Sequence, residues 1–283
     1  MKALWRDFRT VRFWRWFLGE TFIAVGVLAV ALEVTNFVLG QLPLTGWALA
    51  VTIGVISVAY GLGRAWPRPI RQEFAAPKVA IEIVEGNLFS QECSIVVGTC
   101  DTFDTAVPTV IAKSSVQGQA LDQLYGGDVS RLDREISEAL RGKTVTGSIA
   151  KAGKTDKFGI GSIATLHKAD AHLYLLAYCE MNEHNEATST PDAIWRSLAS
   201  LWEEVSRTAN GGPVAIPVIG GGQSRLSHVL PAQDSIRFMI LSFMFASRTK
   251  KVCDELRIVV RTKDFERLDR LELQAFLTSL KES

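Results

Sequence analysis

The sequence carries almost no net charge, and this limits the classes of partner that the protein could bind. Its 31 Lys and Arg against 30 Asp and Glu give a formal charge of +1. Eight basic and three acidic side chains in residues 1–71 give +5, which leaves −4 for the remainder. A mildly acidic C-terminal part lacks the basic stripe with which nucleic-acid binders neutralise phosphates. We therefore expect no nucleic-acid partner.

Cysteine is scarce as well. The chain has four cysteines, at 93, 100, 179 and 253, without Cys-x-x-Cys spacing and too sparse for a disulfide scaffold. A reducing compartment fits this usage. We predict no metal site, no cofactor and no catalytic residue.

Charge is also nearly absent from two long apolar runs near the N-terminus. Residues 17–39 and 44–62 each have about the length that a helix needs to cross roughly 30 Å of hydrocarbon. The connector at 40–43 has no Lys or Arg, whereas both outer flanks are basic, so the positive-inside rule predicts both termini in the cytoplasm. The alternative is a signal peptide cleaved after Ala29-Val-Ala31, but the second apolar run favours a hairpin.

Two features of the runs bear on assembly. Ala50, Gly54, Ser57 and Gly61 are three or four residues apart and form a small-residue face on which another helix could pack, although ordinary membrane-helix composition would also produce it. Glu33 lies inside the first run, where a carboxylate is costly and usually faces protein or water. We expect it to line an assembly, although it could instead be neutral or reach the outer interface.

The rest of the chain alternates short β-branched runs with longer segments of helical period, which indicates a layered α/β domain. We divide the chain into a basic N-terminus (1–16), a transmembrane hairpin (17–63), a linker (64–77) and this domain (78–283). The predicted strands are 79–84, 94–97, 161–166, 173–178, 214–219 and 256–260. The predicted helices are 129–140, 191–208, 231–247 and 264–280, with Pro191 and Pro231 in first turns and Asp264 as a cap.

A glycine triplet, Gly220-Gly-Gly222, follows the strand at 214–219. Without Cβ atoms its amides could approach a phosphate closely, or the triplet could simply form a tight turn. Position 225 is Arg, which breaks the Gly-x-Gly-x-x-Gly pattern of dinucleotide sites. The Gly-Lys-Thr stretches at 142 and 153 lack the earlier glycine of a P-loop, which argues against a nucleoside triphosphatase.

Three segments together resemble the macro domain, a module best known for binding ADP-ribose and its derivatives. They are IVEGNLF at 83–89, SIVVGTCD at 94–101 and VAIPVIGGGQSRL at 214–226, with Leu230-Pro231 after the last. With the apolar hairpin, DTFD at 101–104 and SSVQGQ at 114–119, the chain more narrowly resembles the macro-domain effector of Thoeris antiphage defence.

This resemblance implies a fold and a function. The fold is a three-layer α/β/α domain with a mixed sheet, carried by a multi-pass protein of the bacterial inner membrane. The function is to sense an ADP-ribose-derived signal, thought to be a conjugate with histidine, that a TIR-domain partner makes on infection. Ligand-induced homo-oligomerisation would then disrupt the lipid bilayer and kill the infected cell.

The resemblance also assigns roles to loop residues, each of which could instead serve turn chemistry. Adenine would contact Asn87 and Leu88. The distal ribose and its substituent would contact Thr99, Asp101, Thr102, Phe103 and Asp104, where the carboxylates suit a cationic substituent. The diphosphate would contact Gly220, Gly221, Gly222, Gln223, Ser224 and Arg225. A second phosphate loop would include Ser115, Gln117 and Gly118.

The sequence departs from the family at two points. Asn87 stands where the family has an adenine-reading Asp, so an amide replaces a carboxylate. The Asn of hydrolytic macro domains has no match at Gly98-Thr-Cys100, and no general base is in register. We therefore expect binding without turnover. The alternatives are a membrane-tethered ADP-ribosyl hydrolase and a scaffold that has lost its ligand.

Overall fold

The computed structural model describes residues 8, 11–40, 46–65, 69–220 and 230–281, and the chain divides into two units, Met1–Arg68 and Pro69–Ser283. The first unit holds helices α1 (Val11–Leu39) and α2 (Trp47–Ala65). Both are long and apolar enough to cross a membrane, with mean hydropathies of 2.0 over Phe13–Val38 and 1.5 over Trp47–Ala65. The predicted runs at 17–39 and 44–62 correspond to these helices, although α2 begins later than predicted and ends at Ala65.

The two helices of this unit pack through the small side chains of α2. Ser57 and Gly61 are buried, and a Cβ atom on Gly61 would collide with Thr21 of α1. Ala50 is exposed, however, and a Cβ atom on Gly54 would meet nothing within 4 Å. The predicted small-residue face is therefore divided. One half lies in the contact with α1, and the half around Gly54 is open.

The second unit alternates strands and helices. Its strands are β1 (Ile70–Phe74), β2 (Val79–Glu85), β3 (Ser94–Cys100), β4 (Gly147–Ser148), β5 (Asp156–Lys157), β6 (Ile163–Lys168), β7 (Ala171–Met181), β8 (Ala187–Thr188), β9 (Val214–Pro217) and β10 (Glu255–Val260). Its helices are a 3₁₀ turn (Leu88–Ser90), α3 (Val116–Tyr125), α4 (Val129–Ala139), α5 (Pro191–Thr208), α6 (Ala232–Thr249), α7 (Thr262–Phe265) and α8 (Arg270–Ser279).

Eight strands form one mixed sheet in the order β1-β2-β10-β9-β3-β7-β6, with β8 paired to β7, while β4 and β5 form a separate hairpin. Strands β2, β10, β9, β3 and β7 run parallel, and β1, β6 and β8 are antiparallel to their neighbours. Helices α5, α6 and α8 bury their apolar side chains against one face, and α3 and α4 against the other. The predicted three-layer α/β/α fold with a mixed sheet is confirmed.

All six predicted strands lie on observed strands, because the central strands are buried on both faces and read as continuous apolar runs. In β3, for example, Val96 packs towards α5 and α6, whereas Ile95 and Val97 pack towards α3 and α4. Helices α4 and α5 also match their predictions closely, and Thr190 caps α5 by accepting a hydrogen bond from the amide of Ala193.

Three predicted segments need correction. The single helix expected at 264–280 is two helices, because Asp269 caps α8 by accepting a hydrogen bond from the amide of Glu272. Asp264 lies within α7 and is not its cap. Residues 70–74 of the expected linker form β1, whose Ile70 and Phe74 are buried in the core. Pro231 is the N-cap of α6, one position before the predicted first turn.

The sheet positions the candidate site. Because β2, β3, β9 and β10 are parallel, their carboxyl ends meet at one edge, where ligands bind in open α/β sheets. A hydrogen bond from the amide of Gly86 to the carbonyl of Val260, 3.0 Å, joins the chain after β2 to the end of β10.

Candidate functional site

The described residues that we expected to bind a ligand lie at this carboxyl edge or in the helix that follows it. Asn87 and Leu88 follow β2, Thr99 is near the end of β3, and Gly220 follows β9. The edge therefore brings together segments that are more than a hundred residues apart in the chain.

The turn after β2 presents the side chain of Asn87 at its surface. Asn87 is exposed, and its Oδ1 caps the 3₁₀ turn by accepting a hydrogen bond of 3.1 Å from the amide of Phe89. Its Nδ2 donates to Oε1 of Gln123 on α3, also at 3.1 Å. Leu88, expected beside adenine, is only 6% exposed and packs in the core against α3. Asn87 can therefore offer a polar group to a ligand, whereas Leu88 offers little surface.

The loop after β3 is buried and internally paired. Asp101 accepts a hydrogen bond of 3.0 Å from the amide of Met181 and forms an ion pair of 3.1 Å with Lys157. Phe103 adopts a left-handed backbone with φ of 51° and packs edge to face against Phe158 at 5.8 Å. The hydroxyl of Thr99 is buried and makes no hydrogen bond to any described residue.

Asp104 is paired even more completely. One carboxylate oxygen accepts from Nζ of Lys151 at 2.7 Å and from Oγ1 of Thr102 at 2.5 Å, and the other accepts from the amide of Lys154 at 2.8 Å. We expected Asp101 and Asp104 to suit a cationic group of a ligand. In this structure lysines of the same chain already neutralise both carboxylates, so they offer little surface to such a group.

The predicted second phosphate loop is the first turn of α3. Ser115 is its N-cap, with Oγ accepting from the amide of Gly118 at 3.0 Å and donating to the carbonyl of Ala112 at 2.7 Å. Gln117 is buried and donates to the carbonyl of Asp104. A Cβ atom on Gly118 would collide with the carbonyl of Ala112, so this glycine is required for close packing. The amides of a helical first turn can still attract an anion.

The glycine triplet is described only at its start. Gly220 is buried with a φ of 91°, a conformation that favours glycine. Just before it, the carbonyl of Ile219 accepts a hydrogen bond of 2.5 Å from Ser235 of α6. Gly221, Gly222, Gln223, Ser224 and Arg225 lie outside the described residues, and their roles stay predictions.

Two buried cysteines lie at the same edge without the character of nucleophiles. The Sγ atoms of Cys100 and Cys179 are 2.9 Å apart on the neighbouring strands β3 and β7. The hydrogen bond between the two thiols, together with burial, raises the pKa of the Cys179 thiol well above its usual value. A protonated, buried thiol is a poor nucleophile, so this pair contributes packing.

Sequence reasoning missed several residues of this edge. Lys151 and Lys157 belong to a segment without strand or helix periodicity, so their pairing with Asp104 and Asp101 could not be anticipated. Gln123 is on a helix that was not predicted. The ring of Tyr178 lies so close to Gly98 that a Cβ atom on this glycine would collide with it. In the sequence, Gly98 was the only sign of this close contact.

Comparison with known proteins agrees with this architecture. Solved structures of the Oceanobacillus iheyensis macrodomain, one with MES bound and one with ADP, have TM-scores of 0.50 and 12% identity. Both matches cover 76% of this chain, together with 98% of the chain in the structure with MES and 99% of the chain in the structure with ADP. At that identity they show the fold alone. The Thoeris protein ThsA of Bacillus amyloliquefaciens (strain Y2) is 22% identical over 205 residues, which is 69% of this chain and 67% of that protein.

A family model for the macro domain of Thoeris protein ThsA matches residues 81–261, a range that begins within β2 and ends just after β10. That match spans more than half of the chain and includes the central parallel strands. The chain therefore belongs to the family of the macro domain of the Thoeris protein ThsA.

Proposed function

We propose that this protein is a membrane-anchored effector of antiphage defence whose macro domain binds an ADP-ribose-derived signal. The observation that carries the proposal is the family match at 81–261, which includes the loops after β2, β3 and β9 at one sheet edge. In open α/β sheets such an edge is where nucleotides bind.

The ligand would lie along this edge. Asn87 would pair with adenine, supported by its exposure, and the chain after Gly220 would hold the diphosphate through backbone amides. Additional amides are available at the first turn of α3 behind Ser115. The loop at 101–104 would close the distal end around the second ribose and its substituent.

The response would occur in the membrane. Helices α1 and α2 would form a two-span anchor in the bacterial inner membrane with both termini in the cytoplasm, supported by their length and by their basic flanks. The signal, a candidate being histidine-conjugated ADP-ribose, would come from a TIR-domain partner. Its binding would favour an oligomer that disrupts the bilayer and ends the infection by killing the cell.

Binding without turnover is the better account of the chemistry. The carboxylates of Asp101 and Asp104 are paired with lysines, and the thiol of Cys179 is held protonated. In the described part of this edge, these two carboxylates and this thiol are therefore not free to act as a general base. Product formation from an ADP-ribosylated substrate would instead favour the membrane-tethered hydrolase.

Calorimetry with ADP-ribose on wild type, Asn87→Ala and Asn87→Asp tests the proposal. We expect Asn87→Ala to weaken binding about tenfold, or roughly 1.4 kcal/mol, through loss of the adenine contact. Asn87→Asp keeps the cap oxygen and restores the residue type of the family, so its affinity should equal or exceed that of wild type. A wild-type protein that releases no heat with ADP-ribose and gains no thermal stability from it would refute the proposal.

A further inference from the structure

We infer that Lys151 and Asp104 form a buried brace that positions the loop after β3 for the distal part of the ligand, without contacting the ligand. The inference rests on the proposed function. Nζ of Lys151 lies 2.7 Å from a carboxylate oxygen of Asp104, and the two side chains are 0% and 1% exposed. This ion pair is therefore shielded from water and from any molecule in a cleft.

The brace joins three segments that are distant in the sequence. Lys151 lies between β4 and β5, Asp104 lies in the loop after β3, and the carbonyl of Asp104 accepts a hydrogen bond from Gln117 in the first turn of α3. Nζ of Lys151 also donates to the carbonyl of Ala152 at 3.1 Å. Nζ of Lys151 and both carboxylate oxygens of Asp104 thus each have a hydrogen-bond partner within the protein.

The β4–β5 connection is shaped to fit this carboxylate. Gly153 has a φ of 92°, and a Cβ atom there would collide with a carboxylate oxygen of Asp104. The next residue, Lys154, donates its amide to that same oxygen at 2.8 Å. A glycine at this point allows the backbone to approach the carboxylate closely, as no other residue type would.

A buried ion pair holds its geometry strongly because loss of either partner leaves an unpaired charge away from water. Replacing Lys151 would remove the buried counter-charge of Asp104 and leave its carboxylate held only by Thr102 and the amide of Lys154, which would allow the loop at 101–104 to relax. That loop is where the proposed function puts the second ribose of ADP-ribose. ADP has no second ribose and should not depend on the loop. A positioning role and a general structural role therefore predict different results for the two nucleotides.

The experiment compares wild type, Lys151→Met and Lys143→Met in the full chain, with calorimetry for ADP-ribose and for ADP. Lys143 is exposed and outside the brace, and it provides a matched control. We expect Lys151→Met to weaken ADP-ribose binding by at least about tenfold. Its affinity for ADP, and both affinities of Lys143→Met, should stay within about twofold of wild type.

A double variant guards against simple loss of folding. Asp104→Asn combined with Lys151→Met removes both charges, so it should recover part of the ADP-ribose affinity that Lys151→Met loses. Equal losses for ADP and ADP-ribose in Lys151→Met, or no loss for either, would overturn the inference. So would a double variant that binds ADP-ribose more weakly than Lys151→Met does, because Asp104 would then contact the ligand. A wild type that binds neither nucleotide would instead refute the proposed function.

Discussion

At the scale of single residues, Gly118 illustrates how packing can explain a glycine that resembles part of a binding loop. An alanine there would gain helix propensity of up to about 1 kcal/mol. Its Cβ atom would however collide with the carbonyl of Ala112 and lie 2.9 Å from that of Lys113, and backbone atoms cannot move away cheaply. We expect Gly118→Ala to destabilise the fold by about 1–3 kcal/mol in urea unfolding.

Gly147 is the control for this substitution. It is exposed, and a Cβ atom there would meet nothing within 4 Å. Gly147→Ala should therefore change the free energy of unfolding by less than about 0.5 kcal/mol. Equal effects of the two substitutions would show that the close contact at Gly118 is not what requires glycine.

Glu135 gives the stability a defined dependence on pH. Burial on its own would raise the pKa of Glu135, but hydrogen bonds from Tyr125 at 2.6 Å and Lys168 at 2.9 Å outweigh it and lower this pKa. A carboxyl with a lowered folded-state pKa stabilises the protein above its unfolded value of about 4.3 and loses that contribution as the pH falls through the folded value.

Unfolding of Glu135→Gln and wild type at two pH values tests this contribution. The side chain is 29% exposed, so screening limits the effect, and we expect the variant to be about 1 kcal/mol less stable at pH 7. The difference should shrink as the pH falls below about 4.3 and through the lower folded-state pKa, because the carboxyl is then protonated in both states. A difference that does not change with pH would indicate lost packing in place of lost charge.

At the scale of elements, β1 is the strand through which the chain enters the C-terminal unit, and its edge is covered by α8. The amide of Arg71 donates to Oε1 of Gln274 at 3.2 Å, and Nε2 of Gln274 donates back to the carbonyl of Arg71 at 3.3 Å. The guanidinium of Arg71 also pairs with Glu255 at 2.7 Å across the sheet. The two hydrogen bonds with Gln274 satisfy backbone groups that an edge strand would otherwise leave open.

We expect Gln274→Ala to loosen β1. Loss of the reciprocal pair should speed hydrogen exchange of the Arg71 amide by about three- to tenfold, since each such bond contributes about 0.5–1.5 kcal/mol. Ser279→Ala, at an exposed position on the same helix where the hydroxyl donates only to the carbonyl of Phe276, is the control and should leave this exchange rate unchanged. An unchanged rate in Gln274→Ala would mean that β1 is held by its pairing with β2 alone.

Elements differed in how well the sequence indicated them, for a physical reason. Buried parallel strands such as β3 and β10 are recognisable because burial on both faces demands continuous apolar residues. The edge strand β1 contains three polar residues in five and resembled a linker. Helix α3 has Ser115 as its N-cap and Gly118 in its first turn, and Ser and Gly are typical of loops. The cap became evident only because the amide of Gly118 donates a hydrogen bond to Oγ of Ser115.

At the scale of the whole molecule, the proposed function requires that nucleotide binding in one unit changes the assembly of the other. Gly54 on α2 is open, as a Cβ atom there would meet nothing within 4 Å. It lies beside the exposed apolar side chains of Val51, Val55 and Val58. Gly63 is equally open, and helical geometry puts it about half a turn away, on the opposite face of α2.

Liposome leakage with the full chain compares these two glycines. If copies associate through the Gly54 face, Gly54→Leu should raise the ADP-ribose concentration for half-maximal leakage by about fivefold or more while calorimetric affinity stays unchanged. Gly63→Leu should resemble wild type. Leakage that is independent of nucleotide would contradict the coupling, and an unaltered response of Gly54→Leu would exclude assembly through this face.

The amino-acid sequence alone was enough to predict the two apolar helices, the alternation of strands and helices, and the family. These features depend on local periodicity and on short motifs. The sheet edge at which the candidate ligand residues meet also followed, since parallel strands align their ends. Only the tertiary structure decided which charged side chains form ion pairs. Asp104 pairs with Lys151, 47 residues away, and this contact exists only where packing excludes water from both groups. The sequence shows a carboxylate that could face a ligand, and the fold turns it into an internal brace.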